Sequence, residues 1–469
     1  MSKQRQHGEV HPGWKWGPFV ARIPFYHTRA EWPDLIQGLV VLAATAMALV
    51  PLMQGAFGLT FEEAIAAAMI QLLLLSAGPI LFGDPFAPGY ITPALPIAIA
   101  FVVGNYADSA ERFSAMTALS LDFAALTIFF GLTGFGKRFI AWMPKALKGG
   151  IILGASIASF KRVFFDDIDT FMEQPMATSA ALIVCLIFTF SRPFALIKQR
   201  HKMLATIGNL GLLPGFVIAA VVGVLVGEIT FDIQWGILIP PVADMWDKAS
   251  PLMIGWPTLD MFVAGAPVAL IAYTIAFGDF ITGEEVIKDA AKSRPDEKID
   301  MDVNRAHLSV GSRNILMGLF APFFPTQGVL WTGMHVIIVQ RWRQGRESMD
   351  SLFGGISSFY MFGLPLMFFA LPVITLLAPM MSIALSLSLI LTGFACAYVA
   401  MVIPEAPEER GVALMIGVAL TLFEPWLGLL IGVASTFLIV GFKKIEHDAH
   451  EPEAHEPIEE AKKHDGVAI

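Results

Sequence analysis

Stretches of about 20 predominantly apolar residues recur from one end of this 469-residue chain to the other, and nothing else in it constrains the fold as strongly. A helix of that length crosses a hydrocarbon core roughly 30 Å thick, whereas the alternating pattern of an outer-membrane barrel is not seen. Composition agrees. Hydrophobic residues make up 55% of the chain and charged residues 15%, and mean hydropathy is +0.65, too little polar surface to coat a water-soluble body of this size. An all-α membrane protein is expected. The first 30 residues hold no apolar core, so no cleavable signal peptide is expected. Cys185 and Cys396 each sit inside an apolar span, which points to packing rather than to disulfide or metal chemistry.

Fourteen spans are predicted, beginning near Asp34, Glu63, Gly89, Arg112, Lys148, Pro175, Ala205, Leu259, Leu308, Thr326, Gly355, Leu376, Gly411 and Pro425. With both termini in the cytoplasm, loops expected inside carry 26 of the 31 Lys and Arg, and loops expected outside carry 4. That asymmetry sets the orientation and places the chain in a cell inner (plasma) membrane. Arg313, a few residues into the ninth span, is expected to snorkel to the inner interface. The net charge of −9 sits largely in the polar tail from His447 onward, which reads as disordered, so it signals no basic partner and no nucleic acid.

Fourteen spans divide into two runs of seven, and an odd repeat length places the two halves in opposite membrane orientations. The third span of each half is short and broken: GDPFAPGYITPALPIAIAF in the first, and PFFPTQGVLWTGMHVIIV in the second. Interrupted segments at corresponding positions point to a substrate site, because non-helical backbone at membrane depth is tolerated only where it faces protein or a cavity. Half-helices are expected to start near Tyr90 to Thr92 and near Thr326 to Gly328, aiming their N-termini at the midplane. Unpaired N–H groups and helix dipoles there favour a negatively charged or electron-rich substrate. Tyr90, Ile91, Thr92, Thr326, Gln327, Gly328, Trp331 and Thr332 are the candidate lining.

The stretch VNRAHLSVGSRNILMGLFAPFFPTQGVLWTG resembles the SulP-type anion permeases, with Asn304, Arg305, Gly311, Asn314, Gly318, Leu319, Phe320, Pro325 and Gly328 at matching spacing. PDLIQGL at Asp34, Leu35, Gly38 and Leu39 also resembles the opening of that family. More distantly, the chain is similar to the nucleobase–ascorbate permeases of the same seven-plus-seven, uracil-permease-like fold. The resemblance implies a core domain (34–135 and 258–374) moving against a gate domain (136–257 and 375–442), flanked by a cytoplasmic segment 1–33 and a tail 443–469. It also implies a homodimer through the gate. Thr332, preceded by Trp331, stands where the family usually places a Ser-Arg pair, so a fixed positive charge is not expected at that position. In the eighth span Gly278 takes the place of a family glutamate before Thr282, with the acid one residue on at Asp279. Thr274 stands where nucleobase permeases place a substrate-binding carboxylate.

An ionisable side chain in hydrocarbon costs at least about 2.5–3.5 kcal/mol at mid-depth, so acids within spans mark function. Asp122 lies roughly 15 Å in from Arg112 at 1.5 Å per residue. Asp279 and Thr282 share a helix face, and His335 can titrate near neutral pH. These four are the candidate coupling residues. The expected function is secondary active transport of a small anion (bicarbonate-, carboxylate- or sulfate-like), coupled to H+ or Na+ as the only cofactor. Two alternatives stand beside it, a xanthine/uracil-like nucleobase permease and a passive anion channel or membrane motor. No enzyme is expected, since the cytoplasmic segments hold no metal-type cluster, nucleophile elbow or phosphate-binding glycine loop. Membrane lipid and a small-molecule substrate are the expected partners.

Overall fold

The computed structural model describes residues 5–38, 43–200, 204, 212–361 and 368–441. The predicted start of the seventh span at Ala205 and the tail 443–469 lie outside the described residues. The chain is mostly helical, with two small two-stranded sheets. Four helical stretches, Phe61–Phe82, Ser109–Thr133, Leu259–Ala291 and Leu371–Val402, are long and apolar enough to cross a membrane, and shorter apolar helices accompany them. The protein is a multi-pass membrane protein. Its large exposed side chains follow from that solvent: Leu132, Leu225, Leu259 and Leu438 are exposed on helices, where lipid rather than water meets them.

Helix starts are set by local chemistry. Thr60 opens Phe61–Ala77 with a capping box, its Oγ1 accepting from the Glu63 N–H (3.2 Å) while Glu63 Oε2 accepts from the Thr60 N–H (2.8 Å). Asp302 opens Val303–Phe320 by accepting from the N–H groups of Asn304 and Arg305.

Helix Val303–Phe320 packs along Ser109–Thr133, which also packs on Leu259–Ala291. Small residues make the contact close. A Cβ built on Gly311 would lie 2.5 Å from Ile128 Cγ1, so only glycine lets the two helices approach there. A second neighbourhood is formed by Lys145–Lys161 against Pro407–Leu422 and Met381–Val402, with Pro175–Phe190 on Leu213–Val226.

The N-terminal segment docks on the loops expected in the cytoplasm. Glu9–Val10 pairs in parallel with Glu297–Lys298, and Trp14–Trp16 forms a hairpin with Phe19–Ala21. Behind them lies a buried ionic knot. Arg294 donates to Asp296 Oδ1 (2.7 Å) and Oδ2 (3.0 Å), and also to the carbonyls of Trp342, Met349 and Asp350. Arg5 adds a bond to Asp296 Oδ2 (2.8 Å). Glu297 accepts from Trp342 Nε1 (2.7 Å), Ser351 Oγ (2.6 Å) and the Leu352 N–H (3.2 Å). Hydrogen bonds from Arg294 hold the Asp296 carboxyl well below the usual carboxylate range, with Arg5 adding to the effect, while burial pushes Glu297 up.

Asp296 therefore stabilises the fold fully above the ordinary aspartate range, and that contribution is lost as pH falls through it. Replacing Arg294 by Ala leaves Asp296 and Glu297 short of a buried cation. It is expected to cost about 3–5 kcal/mol at neutral pH and to flatten the acid limb of stability, both measured as the thermal midpoint in detergent between pH 3 and 8. An Arg294→Ala protein as stable as the parent would remove the knot from the account.

Candidate substrate site

Helix Phe61–Ala77 widens into a π-helical turn, Gly78–Phe82, and the chain then runs without regular structure to Thr92, where a short 3-10 turn leads into helix Leu95–Asn105. In the second break the chain leaves helix Val303–Phe320 and becomes helical again at Thr332. The two breaks cross in antiparallel sense. The N–H of Ile91 donates to Pro325 O (3.0 Å), that of Gly328 to Gly89 O (2.8 Å), and that of Trp331 to Ala87 O (2.7 Å). Backbone that no helix could satisfy is thus satisfied by the other break. Glycine is required where they meet: a Cβ on Gly89 would lie 2.7 Å from Trp331 Cβ, and one on Gly328 would lie 2.6 Å from Gly89 O.

The second helix starts at Thr332, four to six residues later than the Thr326–Gly328 expectation. Side chains from helix Val303–Phe320 are the reason. Asn314 Nδ2 donates to Gln327 O (2.8 Å), and Arg313 donates to Gly328 O (3.0 Å) and Gln327 Oε1 (3.3 Å), so these carbonyls are not free to enter a helix ladder. Gln327 Nε2 in turn donates to Gln71 O (2.8 Å), and Thr326 Oγ1 to Phe323 O (2.9 Å). Both residues are buried and engaged by the scaffold. Arg313 does not snorkel. It is 0% exposed and holds the crossing from behind, its guanidinium satisfied by the Gly328 carbonyl and the Gln327 side chain. A fixed positive charge is therefore present beside the breaks, from a position that sequence spacing assigned to the membrane surface.

The remaining candidate residues separate by exposure. Tyr90, Thr92 and Trp331 are partly exposed and Thr332 is exposed, while Ile91 is buried. No side chain caps the first turn of Thr332–Arg343, so its leading N–H groups remain available to an anion. Leu95–Asn105 offers none of its first two, since the Leu95 N–H donates to Thr92 O and Pro96 has no N–H. The Tyr90 hydroxyl is buried with no hydrogen-bond partner among the described residues. Tyr360 Oη donates to Pro88 O, and His335 Nδ1 accepts from the Ala87 N–H (3.3 Å), so both tie down the first break. That bond leaves the His335 proton on Nε2 and gives the ring a positioning role.

Helix Leu259–Ala291 borders the crossing. A Cβ on Gly283 would meet Phe86 and Leu330, one side chain from each break. One turn earlier, Gly278 and Gly333 of the neighbouring helix both face open space. Asp279 is partly exposed and within electrostatic reach of Cys396 on Met381–Val402, and Thr282 Oγ1 donates back to Gly278 O (2.9 Å). Thr274 is buried with its hydroxyl on Leu270 O (2.9 Å). Asp122 stands apart, with Oδ2 buried, without a hydrogen-bond partner among the described residues and 3.2 Å from the Cβ position of Gly265, while its neighbour Phe123 packs on Phe324. Sequence reasoning missed Arg313, Asn314, Gln71, Tyr360 and Asp84 as site residues. Only their polarity within apolar spans could have drawn attention to them.

A methyl group at Gly328 has a backbone carbonyl in its way, whereas one at Gly333 has nothing within 4 Å. Gly328→Ala is expected to lose about 1–3 kcal/mol of stability, by overpacking and by loosening the crossing, and Gly333→Ala to leave stability unchanged. Thermal unfolding of the two variants side by side tests this, and equal midpoints would count against a tight crossing.

No family model matches the chain, and no curated protein matches it by sequence. It is similar to the solved transmembrane domain of a cyanobacterium bicarbonate transporter, BicA, at 15% identity and a TM-score of 0.49, covering 86% of this chain and 97% of that one. It is also similar to the murine Solute Carrier 26 family member A9 anion transporter in the inward-facing state, at 15% identity and a TM-score of 0.47, covering 88% of this chain and 68% of that one.

Proposed function

We propose that the chain is a secondary active transporter of a small anion, bicarbonate-, carboxylate- or sulfate-like, driven by H+ or Na+. The antiparallel crossing carries this reading. Helix Thr332–Arg343 leaves it with an uncapped N-terminus, and a buried arginine stands behind the crossing. Helix N-termini attract negative charge through their free N–H groups and dipoles, and a buried guanidinium adds a field that water does not screen. Tyr90, Thr92, Trp331 and Thr332 line the anion, with the Tyr90 hydroxyl as an added donor.

The crossing moves with helices Ser109–Thr133, Leu259–Ala291 and Val303–Phe320 as the core. Lys145–Lys161, Pro175–Phe190, Met381–Val402 and Pro407–Leu422 form the gate. Segment Thr92–Ala94 touches both Lys145–Lys161 and Met381–Val402, so bound substrate sits at the boundary between the two groups, where a rocking or elevator motion alternates its access. This arrangement goes with fourteen spans in two inverted repeats, both termini in the cytoplasm of an inner membrane, and a homodimer through the gate.

Asp279, one turn from the Gly283 contact with both breaks and facing Cys396 of the gate, is the coupling acid, with Asp122 as a second. A nucleobase permease is disfavoured by Thr274, whose back-bonded hydroxyl leaves no carboxylate there to pair with ring N–H groups.

Uptake into proteoliposomes under imposed proton and sodium gradients tests the reading, with labelled formate, bicarbonate, sulfate and uracil. Anion accumulation is expected in the parent. Asp279→Asn is expected to abolish accumulation above equilibrium yet keep exchange between equal concentrations, which requires no driving ion. Accumulation of uracil alone would select the nucleobase permease, and gradient-independent anion flux the channel. Normal accumulation in Asp279→Asn would remove that carboxylate from coupling.

A further inference from the structure

Asp84 lies at the start of the first break and is almost fully buried. Its Oδ2 accepts from Ser309 Oγ (2.5 Å), and its Oδ1 is buried without a hydrogen-bond partner among the described residues. Arg313 faces it across Gly78: a Cβ built on that glycine would lie 3.6 Å from Asp84 Oδ2 and 3.6 Å from Arg313 Cζ. The two charges are neighbours without a direct bond. The guanidinium gives its hydrogen bonds to Gln327 Oε1 and Gly328 O, and its Nε, like Asp84 Oδ1, is buried with no partner among the described residues.

We propose that Asp84 and Arg313 form a charge switch behind the anion site: ionised Asp84 offsets the Arg313 charge, and protonated Asp84 leaves that charge free to strengthen anion binding. This rests on the anion-transport reading and adds a proton-linked group distinct from Asp279. Because Arg313 donates to the crossing and not to the carboxylate, taking up a proton on Asp84 breaks none of the bonds that hold Gly328. Ser309 Oγ accommodates both states, since a hydroxyl donates to a carboxylate and accepts from a carboxylic acid. In a low-dielectric interior, one uncompensated charge behind a helix N-terminus is felt strongly at the anion.

Three arginines lie within electrostatic reach of Asp84, with Arg313 acting most strongly on it, then Arg305 and Arg22. Arg22, from the N-terminal segment, donates to Gly83 O and His11 O and stacks on Phe353 at 3.8 Å. Arg305, at the start of Val303–Phe320, is paired with Asp300 (2.8 Å). Tyr360, on Leu352–Met361, lies within electrostatic reach of Arg313 and is bonded to Pro88 O. His307, on the same helix as Arg313, bonds to Val303 O and Tyr273 Oη. Helix Phe61–Ala77 brings no ionisable group near Asp84, since Glu63 sits at its far end with Lys248.

Binding of formate, nitrate and sulfate to the purified full-length protein in lipid nanodiscs is measured by calorimetry between pH 5 and 8, in buffers of different ionisation enthalpy so that protons are counted. The parent is expected to bind more tightly as pH falls, by about tenfold per pH unit while one proton is taken up with the anion. Asp84→Asn, neutral at every pH, is expected to bind more tightly than the parent at the upper end of the range and to take up fewer protons per anion bound than the parent does. Ser309→Ala keeps the acid but removes a donor to its charged form, so its profile is expected to shift to higher pH. An Asp84→Asn protein that keeps the parent's pH dependence, or binds more weakly at all pH values, would overturn the switch. If Asp84→Asn does not fold, an unshifted Ser309→Ala profile overturns it equally. A parent that binds none of the three anions at any pH would instead sink the anion reading, and the switch with it.

Discussion

Hydrocarbon cannot hydrogen-bond a backbone N–H or C=O, so two stretches of broken helix inside a membrane protein exist only if something else completes them. Here each completes the other. Ala87–Ile91 and Pro325–Trp331 exchange three backbone hydrogen bonds, Asn314 and Arg313 take the carbonyls of Gln327 and Gly328, and Tyr360 takes that of Pro88. The rest of the structure follows from that crossing. It requires glycine at 89 and 328, fixes where the next helices begin, and leaves the first-turn N–H groups of Thr332–Arg343 free beside it.

The same demand explains why the chain carries charge where a membrane penalises it. A buried arginine is costly alone, yet Arg313 meets two oxygen acceptors and stands beside Asp84, so its charge is neither unbonded nor uncompensated. At the end expected in the cytoplasm, the knot of Arg5, Arg294, Asp296 and Glu297 ties the N-terminal strand to the loops following Leu259–Ala291 and Thr332–Arg343. Both charged assemblies link elements on the crossing's side of the molecule.

Much of this was legible in the residues. Apolar length set the solvent and the helical class, and proline and glycine in GDPFAPGYITP and PTQGVLWTG marked both breaks. The breaks were placed within a few residues because their chemistry is local: proline forbids a helix ladder and glycine permits close approach. Gln327 illustrates the limit. Its amide suits a ligand and a scaffold equally, and only its partners, Arg313 and Gln71, decide for the scaffold.

Solvent, element type and the positions of the two interruptions were thus determined by the sequence alone, since each depends on residues adjacent in the chain. Tertiary structure decided which interruption satisfies the other, that Arg313 turns inward, and that Asp84 lies beside it. Asp84 and Arg313 are far apart in the chain and reach each other only when helix Val303–Phe320 packs against the Gly78–Phe82 turn. An arginine near a predicted span end obeys whichever acceptors come within reach, membrane surface or buried carbonyl, and no local pattern records which of them folding will bring.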